Sequence, residues 1–210
     1  MNVAIIGHGP SMLGGFLGKE IDEHDKVIRL KRCQDTLKYP GHYGRKVSAV
    51  CVSLTIGAHL KNIPAEGYWV FADSRHKDQD INLEAYKEHF SPKPVIIDRK
   101  LCDEWNERYR DLRTEREFPD TVELKKSSTD KLGEDHLSAG LHAVLYAAKH
   151  LKPERIDLFG FDNVFTRDYG WSITRGPEWD KYPPHRWDIE KDLLNDIEQE
   201  FDTEIHFVFP

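Results

Sequence analysis

Apolar runs of strand length recur along the chain at 2–6, 26–30, 47–53, 68–72, 94–98, 155–159 and 204–208. Between several of them the apolar positions switch to helical spacing. Ile81–Phe90 carries Leu83, Tyr86 and Phe90 on one face, and Leu101–Leu112 carries Leu101, Trp105, Tyr109 and Leu112. His136–Leu151 is rich in alanine and leucine, with Leu137, Leu141, Val144, Leu145 and Ala148 aligned. Asp188–Phe201 aligns Ile189, Leu193, Leu194, Ile197 and Phe201. Strands alternating with such helices predict βαβ units, a mainly parallel sheet and an α/β class: one Rossmann-like α/β/α domain over 1–210. In that architecture ligands gather beyond the carboxyl ends of the strands.

Composition narrows the function. The 210 residues are enough for one sizeable core. The formal net charge of −7 argues against a dedicated nucleic-acid binder, because phosphate neutralisation supplies most of such binding. Local basic clusters do occur at Lys26, Arg29, Lys31 and Arg32, and at Arg108, Arg110, Arg113 and Arg116. No apolar run approaches the ~18 residues of a membrane span, and no signal-peptide pattern precedes the first strand, so the expected location is the cytoplasm. Cys33, Cys51 and Cys102 have neither metal spacing nor an even-numbered framework, which suits reduced thiols. Two polar stretches break the periodicity, Arg113–Glu134 and Asn163–Arg186. The second holds Tyr169, Trp171, Trp179 and Tyr182, with Trp187 just beyond it, aromatics suited to stacking on a sugar or base or to pinning a loop.

The chemistry concentrates at strand ends. Val3–Ile6 runs into Gly7-His8-Gly9-Pro10-Ser11, a glycine-rich turn that lets backbone approach an anion. It lacks the third small residue of the dinucleotide fingerprint, since Met12 stands there, and Arg29 rather than an acid ends the second strand. A hydride-transfer cofactor is therefore disfavoured, and a phosphate-bearing ligand met by the turn and Arg29 is expected. Ser138-Ala139-Gly140 opens the alanine-rich helix as either a cap or a second anion or ribose site. Gly160-Phe161-Asp162 follows a strand and places a carboxylate at its carboxyl end. His185, behind Pro183-Pro184 and five residues before Glu190, suits general-base work. Asp78-Gln79-Asp80 has the spacing of a metal-binding pair, but in a polar stretch before a helix it reads first as a cap and a solvated turn. No zinc spacing, serine-hydrolase elbow or P-loop lysine motif occurs.

Taken in order, these pieces resemble the animal-type sialyltransferase family. Its large motif joins an apolar strand and a Gly-Asn-Ser-type turn to Gly-x-Glu-Ile-Asp-x-His-Asp-x-Val-x-Arg. The chain has Gly7–Ser11 and then Gly18-Lys19-Glu20-Ile21-Asp22-Glu23-His24-Asp25-Lys26-Val27-Ile28-Arg29. Its small motif, Ser/Thr-Gly before an apolar helix and a strand ending in Gly-Phe, is similar to Ser138-Ala139-Gly140 through Gly160-Phe161. Its last motif, His, four residues, Glu, matches His185 and Glu190. His8 and Lys31 stand where the family has asparagines that contact the CMP part of the donor.

The resemblance implies a GT-A-like variant of the sialyltransferase fold in a compact bacterial or phage relative. It implies an inverting, metal-independent glycosyltransferase without a cofactor, whose substrates are a nucleotide sugar, CMP-linked, and a glycan or other hydroxylated acceptor. His185 would be the base and, with Glu190, make up the catalytic residues. Gly7, His8, Gly9, Pro10, Ser11, Arg29, Lys31, Ser138, Ala139, Gly140, Gly160, Phe161 and Asp162 would hold the donor, and Asp162 and Glu190 the ribose, the base or the histidine ring. No membrane partner is expected. Two alternatives stay open: a hydroxymethylated base in phage DNA as acceptor, tracked by the arginines of 108–116, and a non-catalytic nucleotide-binding module.

Overall fold

A computed structural model describes residues 1–31, 33–53, 63, 65–71, 94–117, 137–162 and 187–210. The expected helix at Ile81–Phe90, the Asp78–Asp80 pair, and the whole of the polar, aromatic stretch 163–186 with His185 lie outside them. Seven strands form one parallel sheet: β1 (Asn2–Ile6), β2 (Lys26–Leu30), β3 (Ala49–Ser53), β4 (Gly67–Phe71), β5 (Val95–Ile97), β6 (Arg155–Phe159) and β7 (Glu204–Val208). Their order is β5-β4-β3-β2-β1-β6-β7. The chain thus steps outward from β1 to β5, returns to place β6 on the other side of β1, and finishes with β7. The reversal makes the β1/β6 boundary the topological switch point, where open parallel sheets bind ligands.

Alternation along the strands divides the core. Val3, Ile5, Ile28, Cys51 and Leu158 face α4 (Arg99–Glu117), α5 (Ala139–Tyr146) and α6 (Trp187–Phe201). Ala4, Ile6, Val27 and Phe159 face the other way, onto Ile21 of α1 (Gly18–Glu23) and Tyr43 of α3 (Pro40–Tyr43). A short α2 (Cys33–Thr36) closes a third cluster with Val50, Val52 and Val70. Helix spacing explains α4, whose Leu101, Trp105 and Tyr109 are all buried. The first six residues of α5 after its opening alanine are buried all round, so it is a core helix rather than an amphipathic one. It packs across β1, β2 and β3 and points its N-terminus at the carboxyl end of the sheet. A π-helical turn, Ala147–Leu151, and Lys152 at φ +48° end it. The three cysteines are free and buried. Burial pushes the Cys33 thiol up to about 11 and raises that of Cys51 as well, which keeps both protonated.

Among the described residues no helix is long and apolar enough to cross a membrane. Two of the four arginines of α4 that suggested a nucleic-acid track, Arg108 and Arg116, are held in ion pairs. Arg108 bonds Glu104 and Glu200 and lies 4.3 Å over the Trp105 ring, while Arg116 bonds Asp188 and Asp192. These pairs knit α4 to α6.

Candidate functional site

The β1 and β6 ends are closed onto each other by backbone. Gly7 N–H donates to Phe159 O at 2.7 Å, and Gly9 N–H to Gly160 O at 2.9 Å. The approach leaves no room for side chains: a Cβ on Gly7 would stand 2.4 Å from Gly160 O, and one on Gly9 2.4 Å from Asp162 Cγ. Gly160 itself turns at φ +68°. Asp162 then fastens the loop. Its two carboxylate oxygens accept from Ser11 N–H (2.8 Å) and Ser11 Oγ–H. Asp162 is buried, as the expectation of a carboxylate at a strand end allowed, but it grips the first loop.

The turn runs into a single 3₁₀ turn, Pro10–Met12, and α1 begins only at Gly18. Two expectations need correcting. Ser11 gives both of its donors to Asp162, so it does not present them to an anion. Arg29 is fully buried. Its Nε donates to Lys46 O (2.9 Å) and one terminal nitrogen to Tyr43 O (2.8 Å). It faces the α3 side of β2, and burial draws its pKa below the ordinary arginine value. A cation on a strand with both faces covered has no route to the tip, so it satisfies carbonyls beneath the loop. Arg29→Lys is expected to lower stability by about 2 kcal/mol, because an ammonium does not reproduce the planar fork between two carbonyls. Thermal unfolding checks this; an unchanged Tm together with lost nucleotide binding would return Arg29 to the phosphate role.

Tyr43, which the sequence did not flag, supports the loop from below. Its hydroxyl donates to Gly9 O at 3.0 Å. Burial first, then the nearby Asp162 carboxylate, pushes its pKa to about 12, so the donor is kept. His24, in the motif-like run, serves the fold: it sits at the end of α1 with Nε2 2.7 Å from Asp157 on β6 and Nδ1 3.0 Å from Glu20 O.

The second half of the site is the start of α5. Ser138 caps the helix by accepting from Leu141 N–H at 3.2 Å. Its N–H donates to Glu190 Oε1 (2.6 Å) and its hydroxyl to Glu190 Oε2 (2.8 Å). Glu190 lies in the first turn of α6 and is buried; burial outweighs the Ser138 bonds and raises its pKa to about 7. Its oxygens therefore hold the opening of α5, which corrects the expectation that they act directly in catalysis. The signal was present: Glu190 stands three, four and seven residues before Leu193, Leu194 and Ile197, on the apolar stripe.

The two halves touch. The Phe161 ring lies so close to Gly140 that a Cβ there would stand 2.8 Å from it. A continuous chain of contacts thus runs from Gly9 and Ser11 through Asp162 and Phe161 to Ala139-Gly140, Ser138 and Glu190. Lys31, just past β2, is near enough to Cys51 to lower its pKa slightly, and the Cys51 thiol reaches toward Ala139 O (3.9 Å). His8 is half-buried in the loop. Among the described residues no cluster of His, Cys, Asp and Glu has the arrangement of a metal site.

No protein-family model matches the chain, and no curated protein matches it in sequence. Solved structures do match. A mammalian sialyltransferase superposes with a TM-score of 0.58 at 16% identity, over 99% of this chain and 68% of the other. A mammalian sialyltransferase in complex with Gal-beta-1-3GalNAc-ortho-nitrophenol gives 0.57 at 15%, over 99% and 69%. The sialyltransferase CstII from Campylobacter jejuni, in complex with the substrate analogue CMP-3FNeuAc, gives 0.56 at 15%, over 100% and 80%. The chain has a sialyltransferase-like α/β fold.

Proposed function

We propose that the chain is an inverting glycosyltransferase that moves a sugar from a CMP-linked donor to an acceptor hydroxyl without a metal. What supports this most is the convergence of the Gly7–Ser11 loop, Gly160–Asp162 and the opening of α5 at the β1/β6 switch point, in a fold shared with CstII, which was solved with CMP-3FNeuAc. His185 lies two residues before α6, whose Glu190 is bonded to Ser138. In this reading His185 takes the proton from the acceptor oxygen as it attacks the anomeric carbon. The bond from that carbon to the phosphate oxygen breaks, and CMP departs. The N-terminus of α5 at Ala139-Gly140, with its partial positive charge, and Lys31 stabilise the departing phosphate.

Two measurements test the reading. CMP is expected to raise Tm by mass action more than UDP or GDP at equal concentration. His185→Ala is expected to lower kcat by about 10²–10⁴ with CMP affinity nearly unchanged; lost CMP binding in a folded variant would contradict the assigned role. Absence of donor hydrolysis and of transfer, with CMP still bound, would leave the non-catalytic module. The salt-bridged Arg108 and Arg116 give the DNA acceptor no support, and a glycan hydroxyl is the acceptor proposed.

A further inference from the structure

The first loop continues past the crevice into Leu13-Gly14-Gly15-Phe16. Phe16 has φ +52°, a left-handed conformation that bulky residues rarely adopt, and its side chain is 72% exposed. Strain at an exposed apolar side chain does nothing for the core, and such strain collects at functional positions. The ring is not loose. It packs against His42 of α3 with centroids 4.5 Å apart and the two planes tilted by 43°, and lies against Gly41, where a Cβ would meet it at 3.8 Å. Gly14 N–H donates to His42 Nδ1 at 3.2 Å, so Nδ1 is the acceptor and the imidazole proton sits on Nε2 as a donor. Gly15 backs onto Pro210 beyond the carboxyl end of β7, which sets the segment on the same rim of the sheet as the crevice. Leu13 and Tyr39, flanking the two segments, are each 40% exposed.

We propose that Phe16 and His42 form a platform for one sugar residue of an extended glycan acceptor, beside the transfer site rather than in it; this rests on the transferase reading above. A fixed aromatic face suits the C–H face of a sugar ring, and the adjacent Nε2–H suits a hydroxyl. The exposed apolar area of Phe16, Leu13 and Tyr39 is on the order of 300 Å². That is well short of the ~800 Å² per partner that a stable protein dimer buries. Phe16 lies five positions beyond Ser11, a reach of at most about 18 Å, so an acceptor of a few sugar units spans the two places.

The test uses the full chain with ring-labelled phenylalanine, titrated by NMR with trisaccharides ending in galactose, glucose or N-acetylglucosamine. Phe16→Gly is the informative variant, since glycine relaxes at this φ and the fold is kept. At least one trisaccharide is expected to shift the Phe16 ring resonances, and Phe16→Gly to weaken its binding at least about fivefold with the CMP-induced rise in Tm unchanged. Equal glycan binding by Phe16→Gly, or no trisaccharide shifting Phe16, would overturn the platform. So would sedimentation showing a dimer that Phe16→Gly dissociates, which would make a second copy the occupant. Failure of CMP to raise Tm would instead count against the transferase reading, while the titration still decides the platform.

Discussion

Gly7→Ala is expected to cost roughly 3 kcal/mol of stability and to open the crevice. The new Cβ would stand 2.4 Å from Gly160 O, 3.0 Å from Gly160 C and 3.2 Å from Phe159 O. All three are backbone atoms, and no rotamer change moves them aside. Both residues accept the bonds that close β1 onto β6, Phe159 from Gly7 and Gly160 from Gly9. Relief therefore requires the strand ends to separate, at the one boundary where the sheet reverses its order. Gly9→Ala is the informative contrast. Its clash is with the Asp162 carboxyl, a side chain that escapes by rotating, but only by releasing Ser11. Gly7→Ala should lower Tm by about 6–12 °C for a chain of this size. Gly9→Ala should lose less stability and a comparable share of CMP binding. Urea unfolding beside CMP thermal shifts separates the two, and a Gly7→Ala protein melting within about 1–2 °C of the parent would show that the closure is looser than described.

The reach of the sequence follows from what each residue depends on. Strand alternation and helix spacing are local, so all seven strands lie within two residues of the expected runs, and a ligand beyond the carboxyl end of β1 could be expected from the Gly7–Ser11 turn, but not the neighbour that β1 takes in the sheet. Asp162 was legible as a strand-end carboxylate because that position is fixed by its own strand. Its partner was not: Ser11 is 151 residues away, and only the return of the chain to β6 brings them together. Arg29 reads as a strand-tip cation until the sheet is assembled and both faces of β2 prove to be covered. Ser138 and Glu190 are each ordinary near a helix start. Their pairing across 52 residues follows from α5 and α6 packing side by side. The short helices α2 and α3 carry too few residues for periodicity, so Tyr43 and its bond to Gly9 could not be anticipated.

Glu190→Gln is expected to make the protein more stable than its parent above neutral pH and no more stable below about pH 5. The buried carboxyl titrates near 7 in the folded chain, against an ordinary value of 4.5, because burial disfavours its charge more than the two Ser138 bonds favour it. A folded-state pKa raised above the unfolded one means that the folded chain binds this proton more tightly. The stability it contributes is complete below about pH 4.5 and is lost as pH rises to about 7 and beyond. Moving from 4.5 to about 7 corresponds to about 3 kcal/mol, as an order of magnitude. Glutamine does not ionise, and its amide oxygen accepts the Ser138 N–H while its NH₂ turns to the Ser138 oxygen, which has a second lone pair to offer besides the one used by Leu141. The urea midpoints of parent and variant should therefore coincide near pH 5 and diverge steadily to pH 8, with the variant ahead. Glu190→Ala should be less stable than Glu190→Gln by about 2 kcal/mol at every pH, because it leaves a buried N–H and hydroxyl at the mouth of α5 without their acceptors. Parallel pH profiles for the parent and Glu190→Gln would mean that this carboxyl does not titrate at the α5–α6 junction in the way its burial requires.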